Sequence, residues 1–361
     1  MKCSNLMKEE NQTPAKGIEP IRILLVDDSQ AYRNWIAREF AKDAEFEVVS
    51  HATNGKLALP RIRFYQPDFV ILDQEMPELD GLATLRIIRE NWPRVGVIMF
   101  SSHTVEGARI TLQALELGAL DFVTKPSGDA DISAYLQKHL ISRIKSIARS
   151  RRERSLRAVQ ALPVRTITGT VEVCAIGIST GGPVALRQLL TGLPAGLNGA
   201  ILVVQHMPPM FTAQLAQHLN GLCNLNIVEA ANDMQVESGN VYIAPGGRHM
   251  IVERNKTGVH IKITDVPPEL NCRPSVNILF RSVADVYGGK AMALIMTGMG
   301  EDGLDGIRTL RKCDASVFAQ DPESCVVYGM PAGPVRDGLV DGVLDIPGLT
   351  EKILQRFGSK P

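Results

Sequence analysis

The chain has 361 residues, with 39 Lys+Arg against 39 Asp+Glu, so its formal net charge is zero. At roughly 150 residues per domain this length makes two to three domains, and the neutral charge argues against a protein built to hold nucleic acid or an anionic membrane surface. Hydrophobic residues make up 45%, enough for ordinary buried cores, and the longest apolar stretches, such as AMALIM at 291–296, fall far short of the roughly 20 residues that span a bilayer.

Six cysteines (Cys3, Cys174, Cys223, Cys272, Cys313 and Cys325) are scattered with no C-x-x-C pair. They read as buried thiols of a reducing, cytoplasmic compartment and not as a zinc site. Residues 1–20 are polar and lack an apolar signal-peptide core, so they are expected to form a loose tail and not a targeting segment.

From Ile21 the pattern changes. The short apolar runs IRILLV (21–26), DFVILD (68–73), VGVIMF (95–100) and LDFVTK (120–125) alternate with stretches of helical period such as GLATLRIIRE (81–90). Strands alternating with helices predict a parallel sheet covered on both faces, with ligands at the carboxyl ends of the strands. The segment 131–148 then puts Ile132, Leu136, Leu140, Ile144 and Ile147 on one face of a predicted helix. It runs into the basic RSRRERSLR (149–157) and Pro163, read as a solvated helix end and linker. A second alternation follows: VEVCAIGI (171–178), GAILVVQ (199–205), NVYIAP (240–245), AMALIMTG (291–298) and ASVFAQ (315–320). The expected organisation is a tail at 1–20, an α/β domain at 21–140, a helical basic linker at 141–168 and a second α/β domain at 169–361.

In the first domain, Asp27 and Asp28 follow the first run, Asp73 ends the second, Ser101 follows the third and Lys125 follows the fourth. On adjacent parallel strands these groups converge at one end of the sheet. Carboxylates packed together repel and call for a cation, and an all-oxygen ligand set suits Mg²⁺. Asp73 then has an oxygen free to act as a nucleophile towards phosphorus, with Lys125 and Ser101 to meet the phosphoryl oxygens. An Asp-Asp pair after a strand can equally cap the next helix, but four such features in order at successive strand ends are hard to obtain by chance.

This constellation resembles the receiver domain of two-component response regulators, through LLVDDS (24–29), ILDQEMPELDG (71–81), IMFSS (98–102) and GALDFVTKP (118–126). The resemblance implies Asp73 as phosphoacceptor, Asp28, Asp73 and the carbonyl of Glu75 on Mg²⁺, and Asp27 assisting through water. It also implies Ser101 and Phe122 as the hydroxyl and aromatic switch positions.

In the second domain, the run at 171–178 delivers Ser179 at a turn into a helix expected near Gly181, Gly182 and Pro183. Glycines permit the sharp corner, and the free N–H groups of a helix start lie beside the hydroxyl. GISTG (177–181) also satisfies the short G-x-S-x-G pattern. An α/β-hydrolase order is disfavoured because no histidine follows His260, and a dinucleotide site is disfavoured because the next strand ends in Gln205-His206 where an acid is wanted. A histidine there is the base a serine nucleophile needs. Asp302 sits in the glycine-rich MTGMGEDG (296–303); His249 is a competing base, and Asp305 and Asp321 are competing acids.

Residues 171–346 resemble the catalytic domain of the chemotaxis protein-glutamate methylesterases. The matching motifs are STGGP (179–183), QHMPPMFT (205–212), IAPGGRHM (243–250), RPSVNILFRSVA (273–284), TGMGEDG (297–303), AQDPES (319–324) and GMP (329–331). The resemblance implies a doubly wound, flavodoxin-like receiver followed by a doubly wound, mostly parallel α/β esterase domain. It implies Ser179 as nucleophile, His206 as base and acid, and Asp302 as its orienting partner. Met299 would contribute to the oxyanion hole and Thr180 would line the site. Ile178, Asn277, Gln74 and Pro334 depart from the family's usual residues, which bears on substrate preference more than on chemistry.

The implied activity is phosphorylation-controlled demethylation of glutamyl methyl esters, with glutamine deamidation, on chemoreceptor helices. It needs Mg²⁺ only in the receiver, a chemotaxis-type histidine kinase as partner, no nucleic acid and no membrane insertion, and the chain is expected to be monomeric. The competing readings are a response regulator with a non-catalytic docking domain and a DNA-binding regulator. Neutral charge and strand-helix alternation disfavour the latter.

Overall fold

The computed structural model describes residues 19–126, 131–154 and 169–358. Most of the expected tail, and the expected linker from residue 155 to 168, lie outside the described residues.

The first sheet contains β1 (Ile21–Val26), β2 (Phe46–Ala52), β3 (Phe69–Asp73), β4 (Gly96–Ser101) and β5 (Asp121–Thr124), parallel throughout and in the order β2-β1-β3-β4-β5. Helices α1 (Gln30–Phe40), α2 (Gly55–Tyr65), α3 (Gly81–Asn91) and α4 (Val105–Glu116) connect them. Each helix opens on a side-chain cap, from Ser29, Asn54, Asp80 and Thr104 in turn, so every crossover starts in a fixed place. β3 and β4 are buried at every residue, as expected of central parallel strands. β2, which the apolar runs did not reveal, is an edge strand with exposed Glu47 and His51 interrupting its pattern.

The single helix predicted over 131–148 is instead α5 (Ile132–Leu136), a π-helical turn (Gln137–Ile141) and α6 (Ser142–Arg154). The extra residue of a π turn shifts the apolar stripe. Ile141 joins Leu136, Leu140, Ile144 and Ile147 in the core, while Ile132 is left half-buried.

The second sheet has seven parallel strands, in the order β14-β13-β12-β6-β7-β9-β8. They are β6 (Val173–Ile178), β7 (Ala200–Gln205), β8 (Asn226–Glu229), β9 (Asn240–Ile243), β12 (Ala291–Ile295), β13 (Ser316–Gln320) and β14 (Gly342–Leu344). Between β9 and β12 a separate antiparallel hairpin, β10 (His249–Asn255) and β11 (Gly258–Thr264), was not anticipated from sequence. The helices are α7 (Gly182–Thr191), α8 (Phe211–Leu222), α9 (Val276–Tyr287), α10 (Leu304–Lys312), α11 (Ala332–Arg336) and α12 (Ile346–Phe357). From β6 the chain steps to β7 on one side and later to β12 on the other. That reversal opens a crevice at the carboxyl end of β6, where a doubly wound sheet takes its ligand.

The two halves share buried surface: Phe122 of β5 belongs to the same apolar cluster as Phe211 and Leu215 of α8. Among the described residues no helix is long and apolar enough to cross a membrane.

Candidate active site and its covering domain

Ser179 follows β6 directly and is 9% exposed. Its amide donates to the Thr297 carbonyl at 2.9 Å, and its carbonyl accepts from Gly182 N at 2.8 Å and Gln205 Nε2 at 2.9 Å. Gly181 sits at φ +79°, and a Cβ at Gly182 would collide with the Gln205 amide. The corner therefore needs glycine at both places, for handedness and for space. It leaves the serine beside the first turn of α7, whose leading N–H groups lack intrahelical partners.

The register Ile178↔Gln205 brings His206 level with Ser179. His206 Nε2 lies 2.8 Å from Asp302 Oδ2. Asp302, 2% exposed, is in turn fixed by Val276 N on Oδ2 at 2.7 Å, and by Asn277 N at 3.0 Å and Ser275 Oγ at 2.8 Å on Oδ1. These two amides open α9, so a helix N-terminus favours the carboxylate. Burial alone would raise the Asp302 carboxyl, but His206 and these amides outweigh it and hold the group below its ordinary value. Burial likewise works against a charged His206, yet Asp302 and the nearby Cys272 raise its imidazole to about 9.

The competing residues fall elsewhere. His249 is fully buried in β10 and accepts from Ser275 N at 3.1 Å; Asp305 pairs with Arg281, and Asp321 accepts from Ser324 N. The arrangement thus joins His206 to Asp302. The Ser179 hydroxyl makes no hydrogen bond among the described residues, so its contact with His206 is open; contacts of this kind often tighten only once substrate binds.

Ser179, Thr180, His206, Asp302 and Met299 line one cavity of about 620 Å³. Its other wall comes from the first domain: Phe122, Val123 and Thr124 of β5, with Tyr135, Lys138, His139 and Arg143 beyond it. Thr180 Oγ1 donates to Asp121 Oδ2 at 2.8 Å, and Arg143 Nη1 donates to the same oxygen at 3.0 Å. The Phe122 ring stacks on Phe211 with centroids 4.6 Å apart and planes 13° apart. Glu116 of α4 meets His218 of α8 at 2.8 Å and Arg187 of α7 at 3.4 Å. Farther on, Ser150 Oγ accepts from Tyr328 N at 3.3 Å. The first domain covers the mouth of the crevice.

At the carboxyl end of the first sheet, carboxylate oxygens of Asp27, Asp28 and Asp73 lie within 4.8 Å of one another. Lys125 Nζ reaches Asp73 Oδ2 at 2.8 Å and Asp27 Oδ2 at 3.2 Å. Burial first, and then the charge of Asp27, push Asp73 up to about 6. Three clustered carboxylates with Lys125 as counter-charge form an electron-rich, all-oxygen donor set, which fits a hard divalent ion such as Mg²⁺. Glu75 is exposed just beyond Asp73. Ser101 is buried and its hydroxyl is engaged: it donates to Gln74 Oε1 at 2.8 Å and accepts from Thr111 Oγ1 at 2.7 Å.

A family profile described as CheB methylesterase matches residues 174–353, and one described as response regulator receiver domain matches residues 23–137. The protein-glutamate methylesterase/protein-glutamine glutaminase of Trichodesmium erythraeum is 42% identical over 348 residues, covering 93% of this chain and 99% of that protein. The protein of the same name from Archaeoglobus fulgidus is 40% identical over 347 residues, covering 93% and 97%. The crystal structure of the Thermotoga maritima CheB methylesterase catalytic domain aligns with TM-score 0.50 and 37% identity, covering 52% of this chain and 98% of that one. The chain belongs to the CheB methylesterase family. It joins the receiver and hydrolase parts of that family in one parallel-sheet α/β chain.

The fold also brings to the site residues that the sequence did not point to. Asp121, at the start of β5, reads in the sequence only as part of an apolar run, yet it ties the covering domain to the neighbour of Ser179. Cys272 looked like a buried thiol but is half-buried, with Sγ 4.0 Å from His206 Nδ1. Neither residue carries a local pattern, because each acquires its neighbours only through long-range packing.

Proposed function

We propose that Ser179 attacks the γ-carbonyl of a glutamyl methyl ester on the cytoplasmic helices of a methyl-accepting chemoreceptor. The observation that carries this reading is the meeting of Ser179, His206 and Asp302 on one cavity at the crevice of the second sheet. With Nε2 committed to Asp302, His206 Nδ1 is the nitrogen left to take the serine proton. It returns that proton to the departing methoxide, giving methanol and an acyl-enzyme. Water, deprotonated by the same nitrogen, then releases glutamate and restores the serine. The Met299 N–H and the turn into α7 are the sources of oxyanion donors in this reading, each such donor being worth about 3 kcal/mol. Thr180 lines the site, and a glutamine side chain differs only in losing ammonia where the ester loses methanol.

Control belongs to the first domain. Asp73 accepts a phosphoryl group from a chemotaxis-type histidine kinase in the cytoplasm, and Lys125 meets its charge. Asp27, Asp28 and Asp73, with the Glu75 carbonyl, would hold Mg²⁺, which supplies charge neutralisation at the acceptor when bound. Ser101 would leave Gln74 to bond the phosphoryl oxygens, and Phe122, on the edge of β5, would carry that change to Phe211. The covering contacts through Asp121 and Phe122 then loosen, and the crevice opens to a receptor helix. The protein acts as a monomer in this scheme.

A methanol-release assay on methylated receptor, with and without a small phosphodonor, tests both halves. Ser179→Ala is expected to abolish release; full activity in that variant sinks the nucleophile assignment. Asp73→Asn is expected to keep a basal rate and lose the stimulation, and undiminished stimulation refutes the regulatory half.

A further inference from the structure

Cysteine spacing in this chain carries no zinc signature, yet the fold brings a thiol, an imidazole and a carboxylate together. Cys272, in the loop between β11 and α9, is 66 residues from His206 in sequence and stands with Sγ 4.0 Å from its Nδ1. One donor atom from each of Cys272, His206 and Asp302 lies within 4.8 Å of the other two. A tetrahedral zinc ion takes thiolate sulfur at about 2.3 Å and imidazole nitrogen at about 2.0 Å, which puts the two donors roughly 3.5 Å apart. The loop need close by only about 0.5 Å on that geometry.

The other side of the ring is already arranged as a metal-bound histidine requires. His206 Nε2 is held by Asp302, which is itself fixed by Ser275, Val276 and Asn277. A carboxylate on the far nitrogen fixes the tautomer and raises the donor strength of the near one. Both donors border the cavity that also contains Ser179, so the remaining coordination positions open onto water or substrate. Sulfur with imidazole selects a borderline-soft ion such as Zn²⁺ over the hard Mg²⁺ that suits the carboxylates of the first domain.

We propose that Cys272 Sγ and His206 Nδ1, backed by Asp302, form a site for a thiophilic divalent cation, and that Zn²⁺ bound there reversibly silences the esterase. Binding releases the thiol proton of Cys272 and, where the ring is charged, the Nδ1 proton of His206, and the metal then occupies the lone pair that would otherwise deprotonate Ser179. The silencing half rests on the esterase reading above; the binding half does not.

The full chain, first stripped with chelator, is titrated with Co²⁺ as a spectroscopic stand-in and with Zn²⁺ in the methanol-release assay. A thiolate ligand gives a sulfur-to-cobalt charge-transfer band in the near ultraviolet, which the oxygen ligands of Asp27, Asp28 and Asp73 do not give. The band is expected in the native chain and absent from Cys272→Ala and Cys272→Ser. The zinc concentration for half-inhibition, measured against each variant's own zinc-free rate, is expected to rise at least about tenfold in both. No band in the native chain, a band that survives both substitutions, or equal zinc sensitivity in all three proteins overturns the proposal. A chain that shows the band but releases no methanol without zinc leaves the site standing and removes the esterase reading instead.

Discussion

Asp302 illustrates how one residue's surroundings set the chemistry of another. It is buried, yet the N–H groups of Val276 and Asn277 and the imidazole of His206 keep it ionised. A fixed anion at Nε2 favours the imidazolium, and the Cys272 sulfur near Nδ1 adds to it, so the ring is raised to about 9. The sign follows: below that pH the ring holds its proton and cannot act as base, so basal kcat/KM should climb with pH through the alkaline range. Cys272→Ala removes one of the raising contributions, and its acid limb is expected at lower pH; an unmoved limb, measured with chelator present, would falsify this account. Asp302→Asn should move the limb further down while cutting kcat by roughly 10⁴, the loss seen when a serine triad loses its carboxylate. The same residues show what the sequence could tell. Ser179 and His206 were legible because strand ends in a parallel sheet converge by rule, whereas the contact of Cys272 with His206 depends on how a loop between a hairpin and a helix folds back.

Among the described residues, contacts across the two domains come from β5, α4 and α6 on one side and from the turn after β6, α7, α8 and the loop after β13 on the other. Their worth is uneven. The Glu116 contacts with His218 and Arg187 are partly exposed, and such pairs contribute about 0–1 kcal/mol. The buried stack of Phe122 on Phe211 is worth more, about 0.5–1.5 kcal/mol beyond its buried area. Truncating that ring should therefore shift the covered-to-open balance by about tenfold for each 1.4 kcal/mol lost. Phe122→Ala is expected to raise the unphosphorylated methanol-release rate several-fold and to shrink the stimulation by phosphodonor, whereas Glu116→Gln should change the basal rate by less than about threefold. A larger basal gain from Glu116→Gln than from Phe122→Ala would invert this ranking. Sequence periodicity found the central strands of both sheets because they are continuous apolar runs. It missed β2, whose edge position admits Glu47 and His51, and the β10–β11 hairpin, whose exposed Glu253, Arg254 and Lys262 dilute its alternation. The π turn at Gln137–Ile141 was invisible for a different reason, since the same residues satisfy an unbroken helical stripe.

At the scale of the whole molecule, the crevice is covered through short-range contacts between the two domains. A switch built this way should open by losing local protection at the seam while each sheet stays intact. The centre of the second sheet is fully buried across β12, β6 and β7, and such strands exchange their amide hydrogens only through global unfolding. The seam instead depends on Thr180 with Asp121, Phe122 with Phe211, and Ser150 with Tyr328. Adding Mg²⁺ and a small phosphodonor to the full chain is therefore expected to speed hydrogen exchange in α4, in the first turns of α8 and around Tyr328, and to leave β6, β7 and β12 unchanged. Asp73→Asn should show no such response. Faster exchange spreading through the second sheet would mean that phosphorylation loosens the esterase fold itself, and exchange unchanged at the seam would mean that the crevice is uncovered by some other route than release of the first domain.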